Sequence, residues 1–251
     1  MLWKFVYCLL IWFVQGEIWV PPPRTTWQWQ LTQPVKTSFD VQVYDIDLED
    51  TPQQKIDYLH SKGRKVICYF SAGSYEEWRP DAHLFPPEVL GNNLAGWPGE
   101  RWLDVRRIDV LGPIMEARLD NAQMKQCDGV EPDNVDGYQN NNGFGLTGED
   151  QLMFNRWLAN AAHNRGLSIG LKNDLDQIED LVNDFDFAVN EQCFQYNECD
   201  RLKPFVVANK AVFGVEYKGK LSSFCRKAKR MQFSWLKKRL SLTPWVRFCP
   251  T

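Results

Sequence analysis

The chain has 251 residues, of which 44% are hydrophobic and 24% charged, with a formal net charge of −3. That balance fits a globular domain and gives no case for binding nucleic acid. The length can bury a large core, as one barrel or as two small domains.

Residues 1–16 read as a secretory signal, with Lys4 as its positive end, an apolar run from Phe5 to Val14, and a cut before Glu17. The run is too short to cross a membrane, which takes about 20 residues. A secreted, extracellular protein without a membrane anchor is therefore expected. Of seven cysteines, Cys8 leaves with the signal and an even six remain, as suits an oxidising compartment. The expected pairs are Cys193–Cys199 as a local clip, with Cys225–Cys249 and Cys68–Cys127 as longer staples. No C-x-x-C occurs, and His60, His83 and His163 are scattered, so neither a structural zinc nor another cofactor is expected.

Residues 17–26 form an extended lead-in around Pro21-Pro22-Pro23. Trp27 to Leu31, Val41 to Asp47 and Lys65 to Ser71 read as the first three strands. A helix from Thr51 to Lys62 separates the second from the third; Thr51 caps it, Pro52 suits its first turn and Gly63 stops it. Residues 73–106 are a long Pro- and Trp-rich insertion carrying Trp78, Trp97 and Trp102. Loops of this length are functional or disordered, and three tryptophans argue against disorder.

A helix from Arg107 to Lys125 leads into a fourth strand, Gly129 to Asp133. A helix from Gly148 to Arg165 follows, with Leu152, Trp157, Leu158 and Ala161 on its apolar face. Leu167 to Lys172 is the fifth strand, Gln177 to Val182 a short helix, and Phe187 to Glu191 the sixth strand. Ala211 to Tyr217 is the seventh and Trp245 to Cys249 the eighth, joined by a basic helix from Ser222 to Leu240. The basic run Arg226, Lys227, Lys229, Arg230, Lys237, Lys238 and Arg239 reads as that helix's solvated face. The chain ends at Thr251, so no helix is expected after the eighth strand.

Strands alternating with helices predict an α/β fold, a single monomeric (β/α)8 TIM barrel over residues 27–251. A doubly wound sheet is the runner-up, but no G-x-G-x-x-G follows an early strand. Alternation along each strand predicts which face lines the barrel. Val43, Asp45 and Asp47 are expected inside in the second strand, and Ile67, Tyr69 and Ser71 in the third. Ser168, Gly170 and Lys172 are expected inside in the fifth, and Gly214 and Glu216 in the seventh. Asp45, Tyr69, Glu131, Asp133, Lys172, Glu191 and Glu216, with Arg247, then gather at the C-terminal mouth, where barrel enzymes hold their sites.

No G-x-S-x-G, H-E-x-x-H or phosphate-loop spacing is present. Carboxylates with one lysine, tyrosines and tryptophans suit glycoside hydrolysis, which uses two carboxyl groups flanking the scissile bond. The residues alone do not choose that pair among Glu131, Asp133, Glu191 and Glu216.

Trp27-Gln28-Trp29-Gln30-Leu31, Val43-Tyr44-Asp45-Ile46-Asp47, Val66 to Gly73 and Gly129-Val130-Glu131-Pro132-Asp133-Asn134 resemble glycoside hydrolase family 114. So do Gly170-Leu171-Lys172-Asn173, Asn190-Glu191-Gln192 and Val215-Glu216-Tyr217, in order over about residues 27–249. The resemblance to these endo-α-1,4-polygalactosaminidase-like TIM barrels implies a secreted enzyme that cuts α-1,4-linked galactosamine polymers. It implies Asp133 and Glu191 as the catalytic carboxylates. Asp45, Asp47, Asp136 and Glu216 are expected to attract the substrate's ammonium groups. Lys172 is expected to hold a carboxylate or a sugar hydroxyl, with Tyr69, Tyr138, Tyr217, Glu131, Asn134 and Asn190 around the subsites. The alternatives are an inactive carbohydrate-binding barrel and a hydrolase of another amino-sugar or galactose polymer.

Overall fold

A computed structural model describes residues 17–250; the expected signal, with Lys4 and Cys8, lies outside the described residues. Short runs rich in β-branched and aromatic residues become the strands. β1 (Trp27–Gln30), β2 (Val43–Asp47), α1 (Gln53–Ser61) and β3 (Lys65–Ser71) come first. The insertion folds as β4 (Ser74–Glu76), β5 (Leu90–Asn93) and β6 (Glu100–Leu103), a small antiparallel sheet of its own. Next come α2 (Ile108–Met124), β7 (Gly129–Asp133), α3 (Gly148–His163) and β8 (Ser168–Lys172). Thr147 and Asp150 close a capping box at the start of α3. The chain continues through α4 (Ile178–Leu181), β9 (Phe187–Glu191), α5 (Cys193–Tyr196), α6 (Lys203–Val207) and β10 (Val212–Glu216). It ends with α7 (Leu221–Arg230), β11 (Ser234–Lys237) and β12 (Arg247–Phe248).

The main sheet runs β1-β2-β3-β7-β8-β9-β10-β11-β12, parallel throughout except for the antiparallel pair β11–β12. It curls into a barrel. The seam is bridged by Trp27 Nε1 donating to the Ser234 carbonyl at 2.9 Å and by Lys238 Nζ to Gln28 Oε1 at 3.3 Å. Leu31 N also donates to the Leu242 carbonyl at 3.2 Å.

Period-two alternation splits the apolar residues into two cores. Tyr44, Ile46, Val66, Phe70, Val130, Ile169 and Leu171 pack outward against Leu111, Met115, Phe154 and Leu158 of the helices. Trp27, Trp29, Val43, Ile67, Phe187, Val189, Phe213, Val215 and Leu236 fill the barrel. The expected faces of the second, third and fifth strands hold. The seventh is reversed: Phe213 and Val215 point inward, and Tyr217 packs with them. Glu216 points outward because a donor waits there, the Phe194 N–H at 3.0 Å from its Oε1. A Cβ on Gly214 would lie 2.0 Å from Trp235, so the outward position beside it is filled by that indole.

The last expected helix and strand also need correction. The helix stops at Arg230, Gln232 takes a left-handed φ of 62°, and Ser234–Lys237 supplies the eighth parallel strand. The apolar pair Trp235 and Leu236 gains burial there that a basic helix would deny it. Lys238, expected on a solvated face, is 1% exposed. Only Arg247 and Phe248 of the expected eighth strand pair, antiparallel to β11, and Arg247 is exposed at that edge opposite Lys237, not among the residues that line the cleft.

All three expected disulfides form: Cys68–Cys127, Cys193–Cys199 and Cys225–Cys249. The third pins the C-terminal segment to α7. No helix among the described residues is long and apolar enough to cross a membrane.

Gly214→Ala must displace the Trp235 ring and is expected to cost about 1–3 kcal/mol in denaturant unfolding. An unchanged midpoint would contradict the packing of β10 against β11.

Candidate active site

Three adjacent parallel strands end in the residues that matter: β7 in Asp133, β8 in Lys172 and β9 in Glu191. Each is followed at once by a left-handed residue: Asn134 at φ 61°, Asn173 at 53° and Gln192 at 66°. Asn is among the few side chains that visit this region readily. The turn ends each strand abruptly and leaves its last side chain at the lip.

Lys172 is 2% exposed. Its Nζ lies 2.9 Å from Asp133 Oδ1, 3.3 Å from Glu131 Oε1 and 3.5 Å from Glu191 Oε2, and 4.9 Å over the Trp29 ring. Asp133 also accepts from the Tyr69 hydroxyl at 2.9 Å and the Asn134 N–H at 2.7 Å. Its carbonyl takes the N–H groups of Ala72 and Gly73, at 2.9 and 3.1 Å. That close approach demands glycine, because a Cβ on Gly73 would sit 1.7 Å from the Asn134 carbonyl oxygen.

Glu191 accepts from the Tyr217 hydroxyl and from Asn173 Nδ2 at 3.2 Å, and Asn173 Oδ1 takes the Glu191 N–H at 2.9 Å. Burial next to Glu191 raises the Tyr217 phenol above the tyrosine range, so it stays a donor. The ammonium of Lys172 is stabilised by the carboxylates around it despite its burial.

These groups open into a cleft of about 620 Å³, within the range of roughly 300–1,000 Å³ typical of ligand sites. Trp29, Trp78, Trp97 and Trp102 line it, and Trp78 and Trp97 are 53% and 44% exposed. Among the residues nominated from sequence, Asp47, Tyr69, Asp133, Asn134, Asp136, Lys172, Glu191 and Tyr217 meet here. Asp47 is already engaged by Arg79, which also holds Glu76. Asp136 faces the cleft, raised to about 6 by burial and then by the charge of Asp133. Glu100 rises to about 7 through burial, although the Ser74 hydroxyl donates to it at 2.9 Å.

The other nominees lie elsewhere. Asp45 and Glu131, each 0% exposed, are beneath the floor. Asn190 is buried and donates to Asn173 Oδ1 at 3.3 Å, while the Tyr138 hydroxyl donates to Asp174 at 3.2 Å. Glu216 belongs to the outer face. Sequence reasoning quoted Gly73 and Asn173 within motifs without giving either a role, and missed Arg79 and Glu100. Only Asn173 gave a signal, as an Asn directly after a strand-end lysine. Among the described residues no group of three or more His, Cys, Asp or Glu is placed to hold a metal ion.

The model of the glycoside-hydrolase family GH114 matches residues 12–251. The chain belongs to this family. It is a glycosidase with the family's TIM barrel. It is 45% identical to Aspergillus fumigatus Ega3, solved in complex with galactosamine, at a TM-score of 0.89 over 93% of this chain and 98% of that one. The glycoside hydrolase domain of PelA from Pseudomonas aeruginosa shares the fold at 11% identity, with a TM-score of 0.66 over 86% and 94%. No curated protein matches the chain.

Burial raises several carboxyls of this GH114 chain, with a stated effect on stability. Glu131 and Glu100 titrate at about 7, Asp136 at about 6 and Asp174 at about 8. The folded state binds these protons more tightly than the unfolded chain, whose carboxyls titrate near ~4. Their stabilising effect is complete below that pH and is lost as pH rises through the folded values. Lys238, lowered to about 7 by burial, acts oppositely, relieving a cost as pH rises above that value. The denaturant midpoint is therefore expected to fall as pH rises from about 4 to about 8, with Lys238 offsetting the last part of that fall above about 7. A midpoint rising steadily over that interval would contradict the burial of these groups.

Proposed function

We propose that this glycosidase is a secreted, endo-acting hydrolase of α-1,4-linked galactosamine polymers, working with retention through Asp133 and Glu191. Glu191 donates a proton to the glycosidic oxygen as Asp133 attacks the anomeric carbon, forming a covalent glycosyl-enzyme. Glu191 then takes a proton from water, which displaces Asp133 from that carbon.

One observation carries this reading. Both carboxylates contact the same ammonium, Asp133 at 2.9 Å and Glu191 at 3.5 Å from Lys172 Nζ. Their facing oxygens are therefore separated by no more than those two lengths laid end to end. That favours a retaining spacing of about 5–5.5 Å over an inverting one of about 6.5–9.5 Å. Tyr69, Asn134 N–H and Lys172 all donate to Asp133, which suits an anionic nucleophile. Glu191, farther from the ammonium, suits the proton-carrying role.

The galactosamine bound to Ega3 supports an amino-sugar substrate. A ligand ammonium entering the cleft meets Asp136, whose carboxyl it would ionise, and Glu100 nearby. Trp78 and Trp97 offer exposed rings on which sugar faces can stack, and an open cleft lets a polymer cross without threading an end. The three disulfides and the signal-like residues 1–16 support secretion.

Asp133→Asn and Glu191→Gln are each expected to lower kcat on a deacetylated galactosamine polymer by about 10²–10⁴-fold while leaving the fold intact. Products read by proton NMR should appear first as the α anomer. Near-native turnover in either folded variant would remove that residue from its role, and a first-formed β anomer would exclude retention.

A further inference from the structure

Beneath the cleft floor lie two carboxyl groups that no donor satisfies. Asp45 on β2 and Glu131 on β7 are each 0% exposed, and all four of their oxygens lack a hydrogen-bond donor among the described residues. β3 lies between them, pairing Asp45 with Ile67 and Glu131 with Tyr69, and both side chains project into the barrel below Lys172. The Lys172 ammonium is 3.3 Å from Glu131 Oε1, an ion pair without a well-directed hydrogen bond.

Two bare carboxylates buried in the same barrel interior are untenable, since each must be desolvated and they repel one another. Hydrophobic side chains would fill the space at less cost. A proton resolves the conflict: a protonated carboxyl donates to its neighbour, and both groups are then partnered. A proton bridging them raises Asp45 and lowers Glu131, opposite effects of one shared hydrogen bond. Burial, and then the charge of Glu131, pushes Asp45 well above the usual carboxylate range, so Asp45 is the donor. The other charges facing the pair are Lys172 on β8, Asp133 on β7 and Glu191 on β9.

We propose that Asp45 and Glu131 share one proton and act as a single buried negative charge that positions Lys172 and tunes the protonation of the two carboxyls above it. The inference rests on the reading of Asp133 and Glu191 as the catalytic pair. Lys172 brings one positive charge to a site with three carboxyls around it. With Glu131 ionised below, that charge is matched from the floor. The field that would strip the proton from a general acid in the cleft is reduced accordingly. Asp45 and Glu131 touch no substrate; they are positioning residues acting through Lys172.

The test is the pH profile of kcat/KM on a deacetylated galactosamine polymer for the wild type, Glu131→Gln and Asp45→Asn. Glu131→Gln removes a charge that is present only above about pH 7, where Glu131 ionises, so the basic limb should move to lower pH by about one unit and the acidic limb should stay in place. That is the order expected for a unit charge removed at roughly 10 Å in an effective dielectric of ~20. Asp45→Asn keeps a donor to Glu131 and keeps the charge, so its limbs should stay within about 0.3 of the wild type. A basic limb unmoved in Glu131→Gln, with only the rate reduced, would mark a merely structural role and overturn the proposal. Equal shifts in both variants would overturn it too.

Should Glu131→Gln fail to fold, the shared proton is read directly from wild type and Asp45→Asn. Their difference infrared spectrum at about pH 8 should contain a protonated-carboxyl band that belongs to Asp45. Its absence would overturn the proposal. Full turnover in Asp133→Asn or Glu191→Gln would instead defeat the reading of the catalytic pair, and the infrared result would stand apart from it.

Discussion

A single ammonium group, Lys172 Nζ, is the point on which the site depends. It is almost fully buried, yet three carboxylates, Glu131 and Asp133 of β7 and Glu191 of β9, lie within 3.5 Å of it. A lone lysine in that environment would lose its proton, and three lone carboxylates would gain one. Together they keep the ammonium charged, and each fixes the others' positions. Trp29 beneath the ammonium supplies a ring face in place of water.

The barrel supplies what this arrangement needs. Parallel pairing of β7, β8 and β9 carries Asp133, Lys172 and Glu191 to the same rim. The left-handed residues after each strand stop the ladder there, and Gly73 lets β3's continuation press against the backbone of Asn134. The insertion after β3 then raises tryptophans over one side of the cleft, while Leu240 and Leu242 form another wall. That second wall hangs on the seam, where Lys238 Nζ donates to the Thr243 carbonyl at 2.8 Å and to Gln28. The apolar core holds the strands in register, and the hydrogen-bonded loops refine where the last side chains point.

Much of this was legible in the sequence where polarity and position coincided. Asp45, Asp47, Tyr69 and Lys172 are polar residues in otherwise apolar strands, and they do face the interior. The same rule failed at β10, because a polar residue follows its hydrogen-bond partner and not a convention. Glu216 found the Phe194 N–H outside, and the barrel beside Trp27 took Phe213 instead. β11 was hidden because four residues flanked by lysine and arginine resemble the tail of a basic helix. Asn173 stood in a quoted motif without a role, because that role comes from a left-handed backbone, which the residue type permits but does not require. Arg79 was unreadable, since Glu76 is only a local partner three residues away and Asp47 meets it only when the insertion folds back over β2.

The most direct measurement is the paired turnover and unfolding of Lys172→Met, which keeps the bulk of the side chain and removes the charge. If the ammonium holds the proposed pair, kcat should fall by about two orders of magnitude or more. Stability should drop by about 3–5 kcal/mol, because buried carboxylates lose their counter-ion. A variant that unfolds at the wild-type midpoint and hydrolyses the polymer at a near-native rate would contradict the dependence of the site on Lys172.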